Sequence, residues 1–478
     1  MEDEDCADMF TNTEFGRKII PYKAAELIYS KVPMITTDDN ETMYYYDNGI
    51  YKTGAESVVK RIIQEKALKE VKLITLKEII GHIQRSTFIK REMIGANRKH
   101  LHLKNGILDT ETLQVMPFNE EEISIVQLPV NYDINADCPL FKKFLSEILP
   151  EETDRLCVQE IFGYFLHPDY NHHKAFMFLG EGANGKSTLI SVMRAFLGNE
   201  NISAVQLQDM EENQFMAAQL YGKIANLYPD MSANALKQTS TFKALCGGDM
   251  IMVDSKFGKP FQFVNHAKLV FSCNALPEIK NPSPADFRRW IVIQFKQTFE
   301  GVKDDKHLLK KLITEQELSG ILNWALIGLK RLLDNDCFTY NRSMEEMQII
   351  YTRYSNPVGC FIMDAIVEDS EGAIPKEVLW REFLCHAKDI KLRSMSEVAF
   401  WMELKKEIPF VWEERPNTQD RKRVIKGISF SSTYVQHVQH LPIELKYLEK
   451  ISTIAKELVP GRNSDSSTLK VEDFGDVQ

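Results

Sequence analysis

The chain has 478 residues, with 58 Lys and Arg against 68 Asp and Glu, giving a formal net charge of −10. At roughly 150 residues per domain, that length fits about three domains. With 26% charged and 44% hydrophobic residues the balance is an ordinary globular one, which excludes fibrous and wholly disordered architectures. No run approaches the roughly 18 apolar residues of a membrane span. The best stretch, Gly320 to Leu329, is short and carries Asn323. The first residues, MEDEDCAD, are acidic where a secretory signal is basic and then apolar. They read as a solvated arm. Eight scattered cysteines with no CxxC pair argue against a zinc ribbon and a disulfide scaffold. The expectation is a reduced, cytoplasmic protein with no membrane partner. An acidic total also excludes indiscriminate coating of nucleic acid, so any DNA contact must come from local basic clusters.

In chain order, Met43 to Tyr46, then Asp47-Asn48-Gly49, then Ile50-Tyr51 predict a hairpin, because Asn-Gly supplies the positive φ of a tight turn. A second turn is expected at Lys104-Asn105-Gly106. Thr75 to Gln84 has helical spacing, with Leu76, Ile79, Ile80 and Ile83 on one face. Leu140 to Leu149 and Asp154 to Phe165 read as helices separated by Pro150. From about residue 172, strands and helices alternate. Ala175–Leu179, Gly222–Leu227, Lys268–Ser272 and Trp290–Phe295 are apolar runs of the kind that form doubly covered parallel strands. Beyond 305 the pattern is helical as far as 367. Helices are then expected over Pro375–Asp389 and Ser394–Glu407, followed by two short strands, Phe410–Glu414 and Arg423–Phe430. Helices followed by a two-stranded wing suggest a winged-helix module.

The strongest motif is Gly180-Glu181-Gly182-Ala183-Asn184-Gly185-Lys186-Ser187-Thr188, which fits G-x-x-x-x-G-K-[ST] between a strand and a helix. Its glycines let backbone amides curl into an anion nest, and the helix amino terminus adds favourable dipole. Lys186 would neutralise the β- and γ-phosphates of ATP, and the Ser187 hydroxyl would ligate Mg2+. A phosphate loop does not say what the nucleotide is for. Downstream, Asp230 follows an apolar strand, where an acid can orient magnesium and water. Asn274 closes the strand KLVFSCN and can hold the attacking water. Asp286-Phe287-Arg288-Arg289-Trp290 precedes a further apolar strand.

This set resembles the superfamily 3 helicases of phage, plasmid and poxvirus replication proteins. GEGANGKST is similar to their Walker A motif and KIANLYPDMS (223–232) to their Walker B region. FKALCGGDMIMVDSKFGKPFQF (242–263) is similar to their B-prime segment and hairpin, KLVFSCN (268–274) to their sensor, and FRRWIVIQF (287–295) to their arginine motif. YYYDNGIYKTG (44–54) and KNGILDTET (104–112) resemble the domain that precedes this motor in primase-helicases. The resemblance implies an α/β P-loop ATPase core of AAA+-like type over 151–335. It also implies an α+β N-terminal domain over 1–150, a helical linker and winged-helix domain over 336–433, and a tail over 434–478. It makes Lys186, Asp230, Asn274 and Arg289 catalytic, with Asp230 and Ser187 holding the metal. Arg289, preferred over Arg288 because it abuts the apolar strand, becomes the finger reaching a neighbouring subunit's γ-phosphate. Lys256, Phe257 and Lys259 become the tip of a hairpin gripping single-stranded DNA. One departure is that Met231, not a second acid, follows Asp230, with Glu181 a poorer substitute as base.

The implied activity is an ATP-dependent, ring-forming DNA helicase that initiates replication of a virus, phage or mobile element in a prokaryotic host. A hexamer is expected, acting on single-stranded and duplex origin DNA. The chain shows neither room nor Cys/His spacing for a primase domain, so a separate primase or polymerase is implied. In 405–426, seven basic residues stand against four acidic ones, and Arg421, Lys422 and Arg423 lie between two strands. Such a wing can grip phosphates, although winged helices also serve as protein-interaction modules. Two other classes compete: a small-molecule phosphotransferase, for which no substrate lid is evident between 190 and 222, and a scaffold with a fossil nucleotide site.

Overall fold

A computed structural model describes residues 9–435, apart from 14–15, 68–70, 255–259, 281, 300–304, 306, 341, 391–394 and 416–422. The chain divides into two compact units, 1–351 and 352–478.

At the start of the first unit, strands Met34–Thr37, Met43–Asp47, Ile50–Thr53 and Phe88–Ile89 form one small sheet. Its hairpin turns through Asn48 (φ 50°) and Gly49 (φ 94°), the left-handed pair that a primed turn requires. Helices Pro21–Lys31, Ala55–Ala67 and Leu73–Ser86 supply Ala24, Ile28, Val59, Ile63, Ile79 and Ile83 to a shared apolar core. The second expected hairpin pairs His100–Leu103 with Gly106–Asp109. Gly106 is required there because a Cβ would come within 2.6 Å of the Met116 carbonyl oxygen.

No division falls at residue 150. Leu103, Leu108, Leu128 and Val130 share one core cluster with the helices and strands that follow. Helices α1 (Pro139–Ile148) and α2 (Glu152–Leu166) lead into β1 (Ala175–Leu179) and α3 (Lys186–Leu197). Then come β2 (Ile202–Ser203), β3 (Ala225–Tyr228), α4 (Ser240–Gly247), β4 (Met250–Val253), β5 (Phe261–Val264), β6 (Lys268–Cys273) and β7 (Trp290–Gln294). A parallel sheet forms in the order β2–β3–β6–β1–β7, while β4 and β5 pair separately as an antiparallel hairpin. Every residue of β1 and β6 is buried, as strands covered on both faces must be.

The apolar stretch Gly320 to Leu329 lies within α5 (Glu315–Asn335), which packs on α2. Contact is close because Gly328 and Gly163 lack side chains: a Cβ on either would sit 2.3 Å from backbone of the facing helix. Glu160, fully buried in this contact, accepts from Arg331 Nε (2.7 Å) and from the Thr339 amide (2.7 Å). Among the described residues, no helix is long and apolar enough to cross a membrane.

Lys268, the first residue of β6, is 1% exposed. Its Nζ donates to the His167 and His266 carbonyls and lies over the Tyr164 ring at 4.7 Å. Burial lowers its pKa to about 7, with Asp169 opposing. The unfolded chain therefore binds more protons than the folded one between about pH 7 and the ordinary lysine value, so this group's penalty is relieved as pH rises. The penalty is of the order of 5 kcal/mol at full effect. Lys268→Met should thus gain thermal stability over wild type at pH 6.5, and the gain should shrink towards pH 9. A difference independent of pH, read by calorimetry, would show that the buried amine does not titrate there.

The second unit runs α6 (Pro357–Ala365), β8 (Ile366–Pro375), α7 (Lys376–Asp389), α8 (Glu397–Glu407), β9 (Trp412–Glu414) and β10 (Val424–Phe430). The sheet has three strands, in the order β8–β10–β9, not the expected two. β8 reads IVEDSEGAIP, too acidic and too interrupted by Gly372 to show strand alternation, and its register with β10 shifts between Glu368 and Ala373. Phe361, Leu379, Phe383, Phe400, Leu404 and Ile428 form the core of this unit.

Candidate nucleotide site

Strand register gathers the candidate residues at one sheet edge. Leu179, the last residue of β1, stands opposite Cys273 of β6 and Gln294 of β7. Gly180 and Asn274 therefore emerge side by side, and the Gly180 amide still donates to the Cys273 carbonyl at 3.3 Å. Tyr228 pairs with Phe271, so Asp230, two residues on, lies level with Cys273. The Met231 amide pins that turn through the Ser272 carbonyl at 2.7 Å. Asp230 and Asn274 are both exposed. The carboxyl edge of a parallel α/β sheet is where such folds bind ligands.

The phosphate loop leaves β1 at Gly180, where a Cβ would collide with Asn184 and the Phe295 carbonyl. Ala183 (φ 55°) and Gly185 (φ 85°) take left-handed conformations, turning successive amides towards a common centre before α3 begins at Lys186. The Lys186 ammonium donates to the Gly180 carbonyl, to that of Glu181 at 3.0 Å and to Asn184 Oδ1 at 3.1 Å. Burial lowers its pKa, while Cys273, Asp230 and Glu181 oppose that fall. Asn184, not singled out from the sequence as more than a loop member, is 4% exposed and links the loop to the end of β7 through the Phe295 carbonyl (3.4 Å). Ser187 faces solvent at the mouth of the loop. A desolvated cation, an exposed hydroxyl and an exposed carboxylate around a nest of amides suit a nucleotide phosphate with a magnesium ion.

The two arginines are placed differently. Arg289 is 7% exposed, and its Nη1 donates to the Ala285 carbonyl at 2.6 Å. Arg288 is exposed, on a turn held by Lys174 Nζ at its carbonyl (2.7 Å). Both sit at the amino end of β7, five residues or roughly 16 Å of strand away from the phosphate-loop edge.

Lys256, Phe257 and Lys259 lie outside the described residues, as do Arg421 and Lys422. The stem of the hairpin is described: Ile251 faces Phe263 and Val253 faces Phe261 in register. Both phenylalanine rings meet Tyr221 edge-on at 5.4 and 5.6 Å, and the Arg91 guanidinium lies over Tyr221 at 4.7 Å, itself paired with Asp39. The hairpin is thus anchored to the N-terminal sheet region, a link no motif announced. Arg423 is paired with Glu413 at 2.7 Å.

Residues 178–289 match the model of a family of unknown function (DUF5906), and residues 29–150 match one described as D5 N terminal like. A protein of Acanthamoeba polyphaga mimivirus named as a candidate helicase is 24% identical over 228 residues, 45% of this chain and 23% of its own. Another so named, from Invertebrate iridescent virus 6, is 24% identical over 346 residues, 60% of this chain and 34% of its own. The chain thus spans about a quarter to a third of the curated relatives it matches. In solved structures, the apo NrS-1 C terminal region aligns with 86% of this chain and 99% of its own, at 10% identity and a TM-score of 0.47. A JCV helicase aligns with 44% of this chain and 62% of its own, at 15% identity and a TM-score of 0.27.

A phosphate-loop sequence at the carboxyl edge of a parallel sheet defines an α/β protein of the P-loop class. With residues 29–150 similar to a D5 N terminal model and viral relatives that carry helicase names, the chain is similar to superfamily 3 helicases of the D5 type.

Proposed function

We propose that the chain is the ATP-driven motor of a DNA helicase that opens duplex DNA for replication of a virus or mobile element. The observation that carries this reading is the shared sheet edge: Lys186, Asp230 and Asn274 come from three separate segments and converge there. A magnesium ion held there would supply positive charge to offset the charge developing on the phosphates. Lys186 and the amide nest hold the phosphates, Ser187 and Asp230 hold the ion, and Asn274 orients water beside Asp230. The order β2–β3–β6–β1–β7 supports an AAA+-like core.

A finger must present its guanidinium to another molecule, which favours exposed Arg288 over buried Arg289. The length of β7 keeps either arginine from its own phosphate loop, so the finger acts on a neighbour's nucleotide, as a ring, in our reading a hexamer, provides. Lys256, Phe257 and Lys259, which lie in sequence between β4 and β5, grip single-stranded DNA in this reading. The helix–strand–helix–helix–strand–strand order of the second unit supports a winged helix. Duplex contact then falls to Arg421 and Lys422, since Glu413 compensates Arg423. A separate primase or polymerase supplies synthesis.

Hydrolysis by the full chain should rise on adding single-stranded DNA, and Lys256→Ala should keep the basal rate but lose that rise together with unwinding of a forked duplex. A small-molecule phosphotransferase would show no DNA response at all. Full unwinding by Lys256→Ala would remove the hairpin from the mechanism.

A further inference from the structure

In the second unit, Cys360 and Asp364 stand one turn apart on α6 and so share a face. His386, in the last turn of α7, closes on them. One ligand atom from each of the three lies within 4.8 Å of the others. Asp364 Oδ2 is the centre of the group, 3.0 Å from His386 Nε2 and 3.7 Å from Cys360 Sγ. The ligand atoms of a tetrahedral zinc ion lie about 3.3–3.6 Å apart, as bond lengths of about 2.0–2.3 Å dictate. The two separations from Asp364 Oδ2 lie on either side of that range, and Cys360 and His386 approach within 4.8 Å of each other, so a small side-chain rotation closes the set on an ion.

Burial and pairing fit the same reading. Cys360 is 0% and His386 7% exposed, while the Asp364 side chain, at 28%, opens the group to solvent. Arg353 donates to the other carboxylate oxygen, Oδ1, which orients the carboxylate and leaves Oδ2 for the cluster. Without a metal His386 Nε2 is held by Asp364 Oδ2 alone, and Nδ1 is buried without a hydrogen-bond partner among the described residues. Thiol, imidazole and a single carboxylate oxygen select zinc-like ions over magnesium or calcium. Glu377 and Glu382, elsewhere on α7, are not part of the group.

We propose that Cys360, Asp364 and His386 bind one zinc-class divalent ion, which staples α6 to α7 in the C-terminal unit. On binding, the Cys360 thiol releases its proton to solvent and the thiolate bonds the metal. Nε2 donates its lone pair, and the ring proton resides on Nδ1. Arg353 stays on Oδ1 and offsets the carboxylate's remaining charge, and a water takes the fourth position. The inference is independent of the helicase reading.

The test uses the full chain, stripped with chelator and free of nucleotide, titrated with Co2+ and then Zn2+. One equivalent of Co2+ should produce a thiolate-to-cobalt charge-transfer band in the near ultraviolet, bleached by Zn2+. Cys360→Ser should abolish the band, whereas Cys385→Ser, at the exposed neighbouring cysteine, should retain it. Asp364→Asn and His386→Gln should weaken Zn2+ at least tenfold in competition with a chromophoric chelator. No band in the wild type, or a band that survives Cys360→Ser, overturns the proposal. Should Cys360→Ser fail to fold, unchanged Zn2+ affinity in Asp364→Asn overturns it equally.

Discussion

Lys186→Ala is expected to abolish nucleotide hydrolysis while the chain keeps its fold. In the structure the ammonium is drawn out of water and held by three loop acceptors, Gly180 O, Glu181 O and Asn184 Oδ1. A cation so placed meets the phosphate charge that grows during transfer, and losing one such preorganised group costs at least about 10²-fold in rate. Stability should change little, because Glu181 and Gly182 are exposed and water can replace the amine at the loop carbonyls. Turnover and melting temperature measured together decide the matter: near-normal hydrolysis would remove the phosphate-loop assignment, whereas lost hydrolysis with a collapsed melting temperature would make Lys186 structural.

Arg288→Ala should bind nucleotide normally yet hydrolyse it about 10³- to 10⁵-fold more slowly, because a finger contributes only to charge developing in the transition state. Mixing Arg288→Ala with Lys186→Ala chains should restore part of the activity, since one mixed interface then holds an intact loop and an intact finger. Arg289→Ala should act differently. Its guanidinium satisfies the Ala285 carbonyl inside its own subunit, so its removal should lower melting temperature and leave the remaining folded protein active. Failure of the mixture to recover activity, or slow hydrolysis confined to Arg289→Ala, would return the finger to Arg289 or deny it to both.

The regular elements were legible because their signals are local. Ala175–Leu179 has the bounds the residue pattern predicts, a helix follows the phosphate loop as the motif requires, and Asn48-Gly49 turns as its chemistry requires. Strand edges moved by one to three residues: Gly222–Leu227 became Ala225–Tyr228 because Gly222 turns at φ 70° before the strand begins, while Lys268–Ser272 runs on to Cys273 and Trp290–Phe295 stops at Gln294. The third strand of the second unit, Ile366–Pro375, was read partly as helix. Its residues are acidic and poorly patterned, and pairing with Val424–Phe430 holds them extended.

What the amino-acid sequence determined by itself was the phosphate loop, the strand–helix alternation around it and the identity of each chemical group brought to it. Glycine conformational freedom, apolar periodicity and the spacing of G-x-x-x-x-G-K-[ST] act within a few residues. Tertiary structure alone decided which of two adjacent arginines faces solvent, that Asn184 ties the loop to β7, and that Arg91 reaches Tyr221 beneath the hairpin. It also assembled Cys360, Asp364 and His386 from two helices. Side-chain direction follows strand register and helix packing, which depend on contacts between segments far apart in the chain, so no local pattern encodes it.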